Sequence, residues 1–333
     1  MSGDVGTVLV LGADGLLGSH LVRQLLEREH PVRVFVQPGS TSPTLDGLPI
    51  EVVEGDLLAA DGGVRRAVRG CSHVIHGAAV TDLWARPEIT WRVNLEGTRR
   101  VVDACLAEEV RRLVFVGSAS SYQFGSAERP GTEDDDFPDA YRGIAYMESK
   151  FRALRLVNDC VTHRGLDAIT VAPTFLLGGL DWRPSSGELI RQFVTRKLMF
   201  SSPGGRNFAY APDVARALVA AMTEGRTGGC YIAGGHNLSY LEFFTRVADA
   251  AGIRPPRWVL PRAVLMAAGA AGSAQARLRK GKGSLNWTLA RLSLLHTYYS
   301  SQRAIDELGM PQTGLDQAID ESIASLRDYG HIQ

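Results

Sequence analysis

Tyr146 and Lys150 stand four residues apart in Tyr146-Met147-Glu148-Ser149-Lys150, a spacing that puts both side chains on one face of a helix. A phenol with an ordinary pKa of about 10 is a poor acid-base group at neutral pH, and a nearby ammonium favours its phenolate and lowers that value. The pair therefore reads as a tuned proton donor. The bland alternative is a decorated surface helix, since Tyr and Lys at helical spacing are common. A second chemical feature lies upstream, in Gly12-Ala13-Asp14-Gly15-Leu16-Leu17-Gly18. Gly12 and Gly15 allow a tight turn and close approach of the backbone to a pyrophosphate. Gly18 lets a helix pack against a strand, and that helix's N-terminus offers amides and a positive dipole end.

Strands and helices must hold these groups in place. The apolar, β-branched run at residues 7–11 precedes the glycine turn; Leu17, Leu21 and Leu25 then repeat at helical spacing, and residues 32–36 form a second strand. A glycine turn inside such a βαβ unit predicts dinucleotide binding rather than a merely structural turn. Residues 50–53 precede Gly55-Asp56-Leu57, residues 73–76 precede Gly77-Ala78-Ala79, and residues 113–116 precede Gly117-Ser118-Ala119-Ser120-Ser121. Helical segments at 63–68 and 93–107 separate them. The alternation predicts an α/β, Rossmann-type, doubly wound parallel sheet with its ligand at the carboxyl ends of the strands. Asp56, Ala78 and Ser118 sit just past strand ends and are positioned to meet one cofactor. Asp56 has two compatible readings, acceptor for an adenine amine and helix N-cap.

A further strand at 166–171 ends in Pro173 and the Gly178-Gly179 turn, where the rhythm breaks. A lid helix is predicted at 187–200, a helix returning to the main domain at 213–222, its last strand at 230–233, and a helix at 241–251 opened by Ser239. The expected organisation is a dinucleotide-binding domain over 1–173, rejoined by 207–235, and a smaller, mostly helical substrate lid over 174–206 and 236–333.

Composition narrows the partners. Among 333 residues, 36 basic and 36 acidic side chains balance, which points to small molecules rather than nucleic acid. Cys71, Cys105, Cys160 and Cys230 are scattered, with no Cys-x-x-Cys pair and no clustered histidines, so neither a metal site nor a disulfide framework is expected. A reducing cytoplasm fits this usage, and the first residues lack the basic region of a signal peptide.

With these residues laid out, the chain resembles the extended short-chain dehydrogenase/reductase family along its whole length. The matching pieces are the glycine turn, Gly55-Asp56-Leu57, His76-Gly77-Ala78-Ala79, Val93-Asn94-Leu95-Glu96-Gly97-Thr98, Ser120 ahead of Tyr122 and Gly125, and the Tyr146 to Lys150 pentapeptide. Ala172-Pro173-Thr174 and Tyr210-Ala211-Pro212-Asp213-Val214-Ala215 match as well. Trp84-Ala85-Arg86-Pro87 and Asp306-Glu307-Leu308-Gly309 are similar to dihydroflavonol-reductase-like and hopanoid-associated sugar-epimerase-like members. The resemblance implies catalysis by Ser120, Tyr146 and Lys150. Tyr146 would donate a proton to a carbonyl oxygen as hydride arrives from nicotinamide, Ser120 would bond that oxygen, and Lys150 would hold the ribose. Ser118 and Ser121 compete for the serine role, and alignment with Gly125 favours Ser120. The implied dinucleotide contacts are Gly12, Asp14, Gly15, Leu16, Gly18, Gln37, Asp56, Leu57, Ala78, Ala79, Asn94, Ser118 and Pro173, with Tyr146 and Lys150. Asn94 would orient a water or bend its helix. A dimer through paired helices is implied too.

The end of the second strand holds Val36 and Gln37, neither an acid for a ribose 2′-hydroxyl nor an arginine for a 2′-phosphate. A phosphate dianion without a charged partner is weakly held, which favours NAD(H) over NADP(H) unless Arg33 or a distant side chain swings in. The apolar candidates for a substrate pocket are Trp84, Tyr122, Phe124, Phe175, Leu176, Trp182, Met199, Phe200, Phe208 and Tyr210; each competes with a core role. A nucleotide-sugar site would need arginines, and Arg183, Arg191, Arg196 and Arg206 keep that epimerase alternative open. A dinucleotide-sensing regulator is the alternative outside catalysis. Residues 263–274 form a charge-free run of small residues ahead of Arg277, Arg279, Lys280 and Lys282, shorter than the roughly twenty residues that span a bilayer. It reads as a close-packed lid helix with a basic turn, or as a mouth resting on anionic membrane and admitting a lipophilic ketone. The expected activity is nicotinamide-dependent interconversion of a ketone and a secondary alcohol on a hydrophobic small molecule.

Overall fold

Short apolar runs separated by helices assemble one parallel sheet. The computed structural model describes residues 6–279 and 286–333. Its first half alternates β1 (Val8–Leu11), α1 (Leu16–Glu27), β2 (Val32–Val36), β3 (Glu51–Glu54), α2 (Gly63–Val68) and β4 (His73–His76). There follow α3 (Pro87–Trp91), α4 (Thr98–Ala107), β5 (Arg112–Val116), α5 (Ala145–Arg164) and β6 (Ala168–Pro173). Then come β7 (Phe175–Leu177), α6 (Gly187–Arg196), β8 (Phe200–Ser201), β9 (Gly205–Tyr210), α7 (Ala211–Ala220) and β10 (Cys230–Ala233). The chain closes with β11 (His236–Ser239), α8 (Tyr240–Ala251), β12 (Trp258–Val259), α9 (Arg262–Arg279), α10 (Trp287–Leu292), β13 (His296–Thr297), α11 (Gln302–Leu308) and α12 (Leu315–Asp328).

The main sheet has seven parallel strands in the order β10-β6-β5-β4-β1-β2-β3. Helices cover both faces, which is why β1, β4 and β6 are buried along their whole length and show no polar-apolar alternation; β1 is an unbroken apolar run, while β4 begins and ends on buried His73 and His76. On one side Leu21, Val22 and Leu25 of α1 and Val214 and Leu218 of α7 pack into a core with Val8 and Val10. On the other, Val101 and Val102 of α4 and Leu154 and Val157 of α5 pack with Leu9 and Leu113. Strand order reverses between β1 and β4, and that crevice is where open α/β sheets bind ligands. Register brings the chemistry there: Leu11 pairs with His76, His76 with Phe115, and Val116 with Val171. Gly12, Gly77 and Gly117 thus share one edge.

The second half departs from the expected helical lid. β7, β9, β11 and β13 form a second sheet, and β8 pairs with β12. β9 escapes sequence patterning because its fully buried Asn207 is polar; the amide cross-links the strand to Gly235, Asn237 and Tyr299. The predicted helix at 187–200 stops at Arg196, where Lys197 takes a left-handed φ of 48°, and the chain turns into β8. Residues 302–310 are also not lid, because Ala304, Leu308 and Met310 of α11 and its exit sit in the core against α7. The lid's own core is aromatic, with Phe208 stacked on Phe243 at 4.0 Å between ring centroids. Of the basic turn expected after residues 263–274, Arg277 and Arg279 fall in the last turn of α9, and Lys280 and Lys282 lie outside the described residues.

Candidate active site

α5 carries both members of the pentapeptide pair, Tyr146 in its first turn and Lys150 one turn later. Buried Lys150 donates from Nζ to the carbonyl of Val116, the last residue of β5, at 2.6 Å, and stands 4.6 Å from the Phe115 ring centroid. Burial pulls its pKa down to about 7. The Tyr146 hydroxyl donates to Ser118 Oγ at 3.5 Å, and Ser118 Oγ lies 2.8 Å from Ser120 Oγ. Ser118 also accepts the Ser120 N–H and so caps the short turn that holds these hydroxyls. The serine touching the phenol is therefore Ser118, with Ser120 one hydroxyl behind it, while the buried Ser121 hydroxyl has no partner.

Burial pushes the Tyr146 phenol above its ordinary pKa, opposed by its bond to Ser118 and the charge of Arg206. This corrects the expectation that Lys150 lowers it. The lysine is engaged with the Val116 carbonyl and, desolvated, is itself inclined to lose its charge.

Asn94 interrupts the helix that runs from α3 into α4 with a π-helical turn over Arg92–Gly97, a local widening often found at functional sites. Its Oδ1 accepts the Val80 N–H at 2.8 Å, while Nδ2 donates to the Val80 carbonyl at 3.1 Å and to Ser149 Oγ at 3.0 Å. Ser149 in turn donates to the Tyr146 carbonyl at 2.9 Å. Of the two roles expected for Asn94, the structure supports bending. With its amide bonded to Val80 and Ser149, Asn94 links the loop after β4 to the start of α5. Ser149, which sequence reasoning passed over, joins it.

At the crevice, Gly12 has φ +85°, and a Cβ there would lie 2.7 Å from the Ala78 nitrogen. The turn and the loop after β4 touch, leaving Ala78 and Ala79 part-exposed beside them. At Gly18 a Cβ would collide with the Gly12 carbonyl and Ala13, so helix packing against the turn demands glycine. Exposed Gly15 caps α1 without a side-chain acceptor, and the first turn holds no acid. Its amides fit an anion such as a pyrophosphate. Leu16 and Leu57 are buried supports, and Pro173 ends β6 fully within the sheet. Asp56 caps its own turn by accepting the Leu58 N–H at 2.8 Å, and its side chain remains exposed. Exposed Gln37 follows β2. Arg33 does not swing toward it: its guanidinium is held by Glu51 at 2.8 Å and by the carbonyls of Ala67 and Arg69.

The lid reaches over this crevice. Trp182 Nε1 donates to the Asp14 carbonyl at 2.8 Å, and Arg183, stacked on Trp182, lies 3.8 Å from the Asp14 carboxylate and donates to the Thr41 carbonyl at 3.3 Å.

A cleft of about 240 Å³ opens beside Tyr146, lined by Asp82, Leu83, Ala85, Pro87, Thr90, Trp91, Ile144, Glu148, Asn286, Thr288 and Leu289, among others. None of the ten apolar candidates picked from the sequence lines it. Phe208 is consumed by the lid core, Tyr122 is buried beneath α5, and Trp182 latches the glycine turn. The signal for the real lining lay next to Trp84-Ala85-Arg86-Pro87, in Leu83 and in the helical spacing of Pro87, Thr90 and Trp91. Of the four arginines kept for a sugar diphosphate, Arg191 pairs with Glu188 at 2.6 Å and Arg183 with Asp14, while Arg206 stacks 4.8 Å over Phe175.

Residues 8–234 match the model of the NAD dependent epimerase/dehydratase family. The chain belongs to that family. The match agrees with the resemblance to extended short-chain dehydrogenases/reductases and with a nicotinamide dinucleotide as cofactor. A protein from Synechocystis sp., named provisionally as a dihydroflavonol 4-reductase, is 28% identical over 97% of this chain and 95% of its own. Sterol demethylase protein B of Methylococcus capsulatus is 28% identical over 98% of this chain and 100% of its own. Among solved structures, the crystal structure of gox2253 superposes with a TM-score of 0.86 at 30% identity, covering 99% of this chain and 100% of that one.

Proposed function

We propose that this family member is a nicotinamide-dependent reductase or dehydrogenase that interconverts a ketone and a secondary alcohol on a hydrophobic small molecule. The cleft beside Tyr146 carries this reading. Leu83, Pro87, Trp91, Ile144 and Leu289 give it apolar walls, and among the described residues its charged lining side chains, Asp82 and Glu148, are both acidic. A cleft whose described lining is apolar walls with carboxylates and no arginine suits a neutral ring system better than the diphosphate of a nucleotide sugar. A relative whose name links it to sterols fits the same substrate class.

Bound at the crevice, the dinucleotide supplies or accepts the hydride. Tyr146 gives its proton to the carbonyl oxygen in the reductive direction and takes it back in the other. The high phenol pKa keeps that proton in place until the oxygen develops charge. Ser118 and Ser120 form a two-hydroxyl donor set on the same oxygen, and Lys150 fixes α5 to β5 so that the phenol stays at the crevice. Backbone amides at the start of α1 would hold the pyrophosphate, and the uncharged Gln37 corner favours NAD(H) over NADP(H).

The epimerase reading keeps one specific observation, the charge of Arg206 acting on Tyr146. Incubating the enzyme with NADH and a panel of cyclic lipophilic ketones, and separately with UDP-glucose, separates the two. Stoichiometric NADH consumption with a ketone supports the proposal; sugar epimerisation with no net cofactor use overturns it. A regulator that binds NADH without turnover on either substrate would overturn both.

A further inference from the structure

The lid leaves several large apolar side chains uncovered. Among the described residues, the exposed large apolar side chains are Val52 on the edge strand β3 and eight others, all on the lid or at the rim of the cleft. Phe200 is 50% and Trp258 64% exposed, side by side on the paired strands β8 and β12, with Leu198, Val259 and Val264 beside them in sequence. A soluble monomer seldom leaves such aromatic and aliphatic groups contiguous and open.

A helix pair links the patch to the cleft. α9 starts at this corner and runs to α10, where Gly269 meets Ala290 closely enough that a Cβ would sit 2.5 Å away, and Ser273 Oγ accepts the Trp287 N–H at 2.8 Å. Asn286, Thr288 and Leu289 line the cleft, and half-exposed Trp287 stands at its rim. Charge then selects the occupant. The two stretches that form the patch, 196–203 and 252–275, contain Arg196, Lys197, Arg254, Arg257 and Arg262 and no Asp or Glu, and all five cations are exposed.

We propose that this face docks on an anionic phospholipid bilayer, with Trp258 and Phe200 entering the headgroup boundary and the five cations meeting lipid phosphates and carboxylates. Apolar groups ringed by cations of one sign fit a lipid interface, where burial and surface potential act together. Contact is peripheral, since no helix of the described residues is long and apolar enough to cross a membrane. The cleft's rim then opens near the interface from which a lipophilic substrate arrives; that corollary rests on the proposed substrate class, whereas docking does not.

Flotation of the full chain with vesicles of phosphatidylcholine containing 30% phosphatidylserine, against pure phosphatidylcholine, tests docking without any substrate. The expected result is co-flotation with the anionic vesicles only, with affinity reduced on the order of a hundredfold by Arg254→Gln/Arg257→Gln/Arg262→Gln, about fivefold for each basic residue removed. Phe200→Ser/Trp258→Ser should lower it as well, and unchanged circular dichroism shows which variants fold. Absence of flotation overturns the proposal, as does flotation that both folded variants retain. A concentration-dependent dimer abolished by Phe200→Ser/Trp258→Ser, with no vesicle binding, would also overturn it by assigning the patch to a second copy. NADH turnover on soluble ketones is unaffected by any of these outcomes, so docking and activity stand or fall separately.

Discussion

The parallel-sheet body and the lid satisfy burial in different ways. In the body, β1, β4 and β6 are covered on both faces, and the crevice at their carboxyl ends is assembled by backbone: Gly12 against Ala78, and Lys150 against the Val116 carbonyl. In the lid, a small aromatic core around Phe208 and Phe243 holds short strands whose outer edge leaves Phe200 and Trp258 open. A fully covered sheet has one packing solution and can hold reacting groups to fractions of an ångström. A thinly covered lid can vary its surface, and so carries selection of what enters. The two regions meet where Trp182 and Arg183 grip Asp14.

Substitutions can break or sharpen that division. Tyr146→Phe, in the body, should lower kcat by about 10²-fold to 10⁴-fold while leaving NADH affinity unchanged. Turnover close to wild type would remove Tyr146 from the chemistry.

Lys150 makes the body's stability depend on pH. Its pKa falls from 10.5 to about 7 on burial, so between those values the unfolded chain holds a proton that the folded chain has shed. Stability therefore rises with pH across that window, and below about pH 7 the cost of the buried ammonium is carried in full. Lys150→Met should be more stable than wild type at pH 6 and should lack the rise. Melting temperatures from pH 6 to 10 test this, and a wild-type profile that falls through the window contradicts it.

In the lid and cleft rim, Leu289→Ala should reduce kcat/KM on a bulky cyclic ketone on the order of tenfold. The dissociation constant for NADH should not move; a parallel change in it would mean that body and lid are not separable. The smallest expected effect is at the cofactor's edge, where Gln37→Arg should tighten NADPH binding about fivefold through a charge-assisted bond and leave NADH near its original value. Wild-type protein that already prefers NADPH in the same titration would refute the NAD(H) assignment and direct attention to Arg183.

Most of the body is legible in the amino-acid order. Strands buried on both faces appear as short apolar runs, glycine spacing marks the turn, and the Tyr146–Lys150 interval marks a helical face. The lid is less so. Asn207 breaks the apolar pattern of β9 because its amide is satisfied only by residues distant in sequence. The cleft draws Leu83 and Trp91 from one end of the chain's middle and Leu289 from far downstream, so no local window contains it.

The sequence alone determined the doubly wound body, the glycine turn and the candidacy of Tyr146 and Lys150, since each depends on spacing along a single element. Only the tertiary structure decided that Ser118 rather than Ser120 touches the phenol, that Lys150 bonds the end of β5, that Asn94 ties Val80 to Ser149, and which walls enclose the cleft. Those outcomes depend on distances between residues tens to hundreds of positions apart, and on the desolvation that their packing imposes, neither of which local periodicity encodes.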